Sequence, residues 1–327
     1  MQKTPIFRRI AAVLIALVML GGAQTAQAQD VVNYGVQPAT MPIYIAKSMG
    51  LLQPIEKKHN VKIVLRSFAS GAPENQAMAA GELQMASAGM GPAVLASARL
   101  PATLVAITIL EQTAIIVPKD STVKSVAELK GKKVAFPGEG TQQYPLLLKA
   151  LADAGLKVSD IKLYKTSGSQ VPTLLQNKSV DAGITWDPHV SNALAAGYSK
   201  VLIKADKIMP IMQGNYVGNG EYVQNDFLKS RPEVVQDLIT ANVKAIDFIL
   251  KDPKAAAKMW AEEIGFPVET VNYSLEQKIS VYSRNVTPEK KTIDAYSKFL
   301  KDAKILAETD VPKVDPSFAQ KALVDAK

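Results

Sequence analysis

The chain has no cysteine, only two histidines and two tryptophans, and aromatic residues make up 6% of its 327 positions. Without cysteine there is no disulfide framework, no thiolate nucleophile and no lipid-modified N-terminal cysteine. His59 sits in the charged turn "IEKKHNVK", and His189 and Ser191 lie two and four residues beyond Asp187. That spacing points His189 and Ser191 to different sides of a helix rather than into a relay. No "GxSxG" or phosphate-binding loop occurs, and no carboxylate–histidine spacing suits a metal. The composition thus speaks against hydrolase and metalloenzyme chemistry, and no cofactor or metal is expected.

Basic blocks are missing as well. Lys and Arg number 38 against 30 acidic residues, a formal charge of +8 that falls to +5 when residues 1–28 are set aside with Lys3, Arg8 and Arg9. A mild, scattered excess attracts small anions but does not make a nucleic-acid surface. The one long apolar run, "IAAVLIALVML", follows those three basic residues and precedes "AQA" at Ala26–Gln27–Ala28. It is shorter than the ~20 residues that cross a bilayer. The succession reads as a cleaved signal peptide over residues 1–28, giving a soluble, exported product of a two-membrane bacterium that begins at Gln29.

What is present is alternation. "VVNYGV" leads into "MPIYIAKSMGLL", "VKIVLRSF" into "PENQAMAAGEL", "KKVAFPG" into "QQYPLLLKALADAGL", and "DAGITW" into "PHVSNALAAG". Strands followed by helices predict α/β architecture with mixed, mostly parallel sheets flanked by helices. Beyond about residue 227 the pattern turns helical. At 47% hydrophobic the chain supports two cores, because single cores split beyond roughly 250–300 residues.

Small and polar residues crowd the strand-to-helix joints. Thr40, Ser70, Gly71, Gly89, Gly91, Ser169 and Asp187 stand just ahead of Pro42, Pro73, Pro92, Pro172 and Pro188, where helices begin. Each is an ordinary helix start by itself. Together they mark the carboxyl edges of sheets, where α/β proteins bind ligands and where helix N-termini favour negative charge.

The succession "QPATMPIYIAKSMGLL", "FASGAPENQAMAAGELQMASAGMGPAVLA", "SVAELKGKKVAFPGEGTQQYPLLLKALADAGL" and "LLQNKSVDAGITWDPHVSNA" resembles the periplasmic solute-binding proteins of ATP-driven importers for nitrate, aliphatic sulfonates, taurine and thiamine-precursor pyrimidines. The resemblance implies a type II periplasmic binding protein fold: two lobes, two hinge crossings and a ligand cleft between. It places residues 29–117 and 218–327 in the first lobe and 118–217 in the second. It also implies a small-molecule ligand, an inner-membrane permease as partner and a monomeric, periplasmic protein. An enzyme on a similar fold is the alternative of another class.

The candidate ligand contacts follow the joints. Gln37, Thr40 and Met41 belong to the first, Ser70 and Gly71 to the second, and Met90 to the third. Thr141, Gln142 and Gln143 end the loop "FPGEGTQQYP", where members that take sulfonates often have Ser or Thr. Ser169, Trp186 and Asp187 belong to the same lobe as that loop, and Asn219 stands at the return crossing. Trp186 offers an apolar face and one N–H donor to a cleft, or else fills a core. Asp187 caps the following helix or meets an ammonium. Met41, Met90 and Tyr144 fit an apolar wall or a core. Arg66 faces the cleft or points out from the sheet, and Glu139 would repel a bare anion. These features favour an aliphatic sulfonate or a taurine-like zwitterion, with a pyrimidine, nitrate or an aromatic carboxylate as alternatives.

Overall fold

Residues 29–212 and 214–327 are described by a computed structural model. The expected signal peptide over residues 1–28 lies outside them. No helix among the described residues is long and apolar enough to cross a membrane.

The first half of the chain alternates β1 (Asp30–Val36), α1 (Pro42–Ser48), α2 (Leu52–His59), β2 (Val61–Ser67), α3 (Gly71–Ala79), β3 (Met85–Gly89), α4 (Met90–Arg99) and β4 (Ala102–Ile109). Then follow β5 (Thr113–Pro118), β6 (Lys133–Phe136), α5 (Gln143–Asp153), β7 (Lys162–Lys165), α6 (Val171–Gln176), β8 (Ala182–Trp186), α7 (His189–Ala195), β9 (Ser199–Lys204) and α8 (Ala205–Ile208). The chain returns through β10 (Asn219–Gln224) and ends in α9 (Asn225–Ser230), α10 (Pro232–Lys251), α11 (Pro253–Ile264), α12 (Val268–Glu276), α13 (Lys290–Asp302) and α14 (Ser317–Asp325).

Two five-stranded sheets result, in the orders β2-β1-β3-β10-β4 and β7-β6-β8-β5-β9. Each contains one inserted strand that runs against its neighbours: β10 is antiparallel to β3 and β4, and β5 is antiparallel to β8 and β9. These are the strands that enter from the other sheet, so they arrive in the reverse direction, whereas β1–β3, β6–β7 and β6–β8 pair in parallel through helical crossovers. The mixed, mostly parallel reading therefore describes both sheets.

The change of sheet comes earlier than the boundary drawn after residue 117. β5 begins at Thr113 and is a full member of the second sheet, so the crossing occupies residues 110–112. The apolar run "TAIIVP" looks like a continuation of β4 because both strands are buried on two faces. The C-terminal region also reaches further than the first sheet. Leu110 N donates to Val281 O at 2.9 Å, Val281 N to Glu111 O at 3.1 Å and Ile107 N to Val286 O at 2.8 Å. Ile279 packs into the second sheet's cluster with Ile116, Val171 and Val190, and α12 packs on α7. Residues 279–286 are thus a strap along the crossing.

Candidate functional site

The carboxyl ends of the two sheets meet around a narrow cavity of about 20 Å³ lined by Gln37, Ala39, Ser70, Gly71, Gly89, Pro92, Gln112, Thr141, Gln142, Gln143 and Trp186. None of these described lining residues is charged. Two helices start on the wall, α3 at Gly71 and α5 at Gln143. Their first-turn N–H groups have no acceptor within the helix and carry the positive end of its dipole. The opposing ends touch directly, since Met90 N at the start of α4 donates to Gln142 Oε1 at 2.9 Å.

The four glutamines divide by hydrogen-bonding sense. Gln37 Nε2 donates to Glu74 Oε2 at 2.7 Å, and Gln143 Nε2 to Thr113 Oγ1 at 3.1 Å. Gln112 Nε2 donates to Gly218 O at 3.3 Å and to Asn219 Oδ1. Their amide N–H groups are thus engaged by the protein, while Gln142 has its oxygen engaged instead. Gln112 Oε1, Trp186 Nε1 and Asn219 Nδ2 are buried without a hydrogen-bond partner. Unpaired buried polar atoms are costly, so a site that keeps them suits a ligand that satisfies them.

Seven of the sequence candidates, Gln37, Ser70, Gly71, Thr141, Gln142, Gln143 and Trp186, line the cavity. The other six lie off its wall. Thr40 Oγ1 is 3.0 Å from Ser280 Oγ, and Met41 O accepts the Trp260 indole N–H at 2.8 Å. Met90 is fully buried with its sulfur toward Gly220, and Ser169 is exposed beside Ser167. Asn219 stands behind Gln112. Asp187 is fully buried: Oδ1 accepts from Ser191 N at 3.0 Å and Ser191 Oγ at 2.5 Å, and Oδ2 from Ser280 Oγ at 3.0 Å. Burial raises its carboxyl above the ordinary carboxylate range. The helix-capping role fits these partners, and the expected ammonium contact does not.

Arg66 pairs with Glu82 at 3.1 Å on an exposed face, and Glu139 pairs with Lys165 at 2.5 Å, also exposed. Neither charge lines the cavity. Ala39, Gly89, Pro92 and Gln112 were absent from the sequence candidates. Gly89 was recognisable from its place in the β3–α4 joint. Gln112 was hidden because it belongs to a crossing rather than to a helix start.

Trp186 is braced from behind. Its ring stands edge-on to His189 at 5.3 Å between centroids, and His189 lies 5.5 Å from Phe266. Burial pushes the His189 imidazole down to about 4. Below the unfolded value of about 6.5 the unfolded chain takes up a proton that the folded chain refuses, so stability falls as pH drops from there toward 4. A difference of that size amounts to about 3 kcal/mol at its limit. Urea unfolding at several pH values should show wild type losing stability relative to His189→Phe across this window. Parallel stability curves would contradict it. Glu221, lifted to about 7 by burial, acts in the opposite sense and is common to both proteins.

The NMT1/THI5-like family model matches residues 37–256. A putative aliphatic sulfonates-binding protein of Escherichia coli is 27% identical over 76% of this chain and 76% of its own length. The taurine-binding periplasmic protein of Escherichia coli is 28% identical over 71% of this chain and 73% of its own. Among solved structures, the alkanesulfonate-binding protein of Xanthomonas axonopodis pv. citri bound to MOPS superposes with a TM-score of 0.74 at 23% identity, covering 86% of this chain and 96% of that one.

Proposed function

The chain belongs to the NMT1/THI5-like family, and from that premise we propose that it is the periplasmic substrate-binding component of an ATP-driven importer, taking up a small organic sulfonate. It acts by capture and delivery rather than by catalysis. The ligand sits between the two sheet ends, and the membrane permease receives it from the closed protein. We further propose that it works as a monomer.

The observation that carries this reading is the cavity wall: uncharged throughout, yet bordered by two helix N-termini and an unpaired indole N–H. A sulfonate spreads one charge over three weakly basic oxygens. Helix-end N–H groups, the Ser70 hydroxyl and the Gln142 amide N–H hold such a group without a counter-ion, whereas the Thr141 hydroxyl already donates to Gly138 O at 2.8 Å. Ala39, Pro92 and the Trp186 face supply apolar surface for a short carbon chain, which nitrate does not need. The engaged N–H groups of Gln37, Gln112 and Gln143 favour a second reading, an amine-bearing sulfonate whose N–H donors meet carboxamide oxygens.

Thermal denaturation of the chain from residue 29 onward, with ethanesulfonate, butanesulfonate, taurine, nitrate and a hydroxymethylpyrimidine, tests this. A ligand that binds only the folded state raises the melting temperature, by the equivalent of about 2.7 kcal/mol at a hundredfold excess over its Kd. Sulfonates are expected to give the shift. A shift with nitrate or the pyrimidine and none with any sulfonate would overturn the assignment.

A further inference from the structure

Behind the cavity lies a buried acidic pair that ligand contact alone does not explain. Glu74 on α3 and Glu221 on β10 are almost wholly enclosed. Glu221 is well supplied with donors, from Tyr34 Oη, from Ser87 Oγ at 2.8 Å and from Thr108 Oγ1 at 2.9 Å. Glu74 is not. Its Oε2 accepts from Gln37 Nε2, and its Oε1 has no hydrogen-bond partner. The seat is shaped for a carboxyl group: a β-carbon at Gly35 would lie 2.6 Å from Glu74 Oε1. A side chain at that position would evict it.

We propose that Glu74 is a positioning residue for recognition, its carboxyl deciding which end of the Gln37 carboxamide faces the ligand cavity. The inference rests on the ligand occupying that cavity. An ionised carboxylate only accepts, so Gln37 must give it the N–H group and turn its oxygen to the cavity. A carboxyl protonated on Oε2, the oxygen that meets Gln37, donates O–H to the Gln37 oxygen, and the carboxamide then presents its N–H group instead. Gln112 and Gln143 stay as they are, the former held by the Gly218 carbonyl and both anchored away from Glu74. One proton therefore exchanges a single acceptor on the wall for a donor.

The groups around Glu74 set where this happens. Glu221 and Tyr222 face it from β10, Tyr34 from β1 and Tyr44 from α1, and the Ser87 backbone reaches it from β3. No cation acts on it among these. Burial first, then the Glu221 charge, lifts its carboxyl well above the ordinary carboxylate range. The donor form therefore prevails at low pH and is lost as pH rises through the shifted value. A sulfonate oxygen at Gln37 is held more tightly in acid, and an ammonium there more tightly in alkali.

Two measurements decide it. In the ligand-free protein, carboxyl and side-chain amide NMR should show the Gln37 amide resonances following the Glu74 titration. Calorimetry with ethanesulfonate and with taurine on the acid and on the alkaline side of the Glu74 titration read by NMR should show the ethanesulfonate-to-taurine affinity ratio falling by about tenfold as pH rises, the worth of one exchanged charge-assisted hydrogen bond. In Glu74→Gln the ratio should not change with pH. A Gln37 amide indifferent to Glu74, or a wild-type ratio that is the same at both pH values, overturns the proposal. If the amide follows Glu74 but no sulfonate binds, the positioning role stands and the functional assignment fails.

Discussion

Gly168→Ala is expected to reduce sulfonate affinity by about thirtyfold or more, although Gly168 itself does not line the cavity. A β-carbon at this position would lie 2.2 Å from Trp186 Cζ3 and 2.3 Å from Cη2, far inside van der Waals contact. Neither partner can yield cheaply. The Gly168 carbonyl accepts from Thr185 Oγ1 at 2.9 Å, which ties its backbone to β8. Trp186 is held by its register with Thr113, by the edge of His189 and by the core cluster under the first sheet. The added methyl therefore drives the indole toward the ligand or lifts the 168–170 turn, at about 1–3 kcal/mol of stability for the overpacking. Calorimetry of the folded variant measures the first effect and urea unfolding the second. Trp186→Phe in the same background removes the atoms that clash, so the double variant should recover part of the stability lost by Gly168→Ala, a coupling that independent sites would not show. Native affinity in Gly168→Ala would show that the ring's position does not matter to binding.

The sheets and their helix starts were readable because strand and helix periods differ, and because Pro and small residues punctuate the joints between them. That logic found Ser70, Gly71, Thr141, Gln142 and Gln143, all of them at helix N-termini that border the cavity. It could not find Gln112, whose signal is only a polar triplet between two apolar runs that read as one. Asp187 was misjudged for a reason available in the sequence. Neighbouring residues at the end of a strand point to opposite sides, so if Trp186 faces the cavity, Asp187 turns away from it, here into Ser191 and Ser280. Glu74 was invisible for another reason. A glutamate in the first turn of a helix is normally a solvated partner of the helix dipole, and only the packing of β1 and β10 against it shows that this one is enclosed.

The C-terminal helices contribute to the site without touching it, and Trp260→Ala should expose that dependence with the largest stability loss. Trp260 on α11 is fully buried, its indole N–H donates to Met41 O at 2.8 Å, and its ring stacks on Tyr282 at 5.4 Å between centroids. Tyr282 in turn donates its hydroxyl to Thr40 O at 2.6 Å. Two stacked aromatic rings thus clamp the carbonyls of Thr40 and Met41, on the loop that presents Gln37 and Ala39 to the ligand. Truncation to alanine removes a buried ring, at about 3–5 kcal/mol, and also leaves the Met41 carbonyl without its donor. Trp260→Phe separates the two contributions, since it keeps most of the apolar volume and deletes only the N–H, a loss of about 1–3 kcal/mol for an orphaned buried acceptor. Urea unfolding gives both values, and a loss below about 1 kcal/mol for Trp260→Ala would refute the clamp as a source of stability. Sulfonate titration of folded Trp260→Phe tests the functional half. A loop freed at Met41 must be reordered when ligand arrives, so affinity should fall by several-fold while the cavity's own side chains remain unchanged.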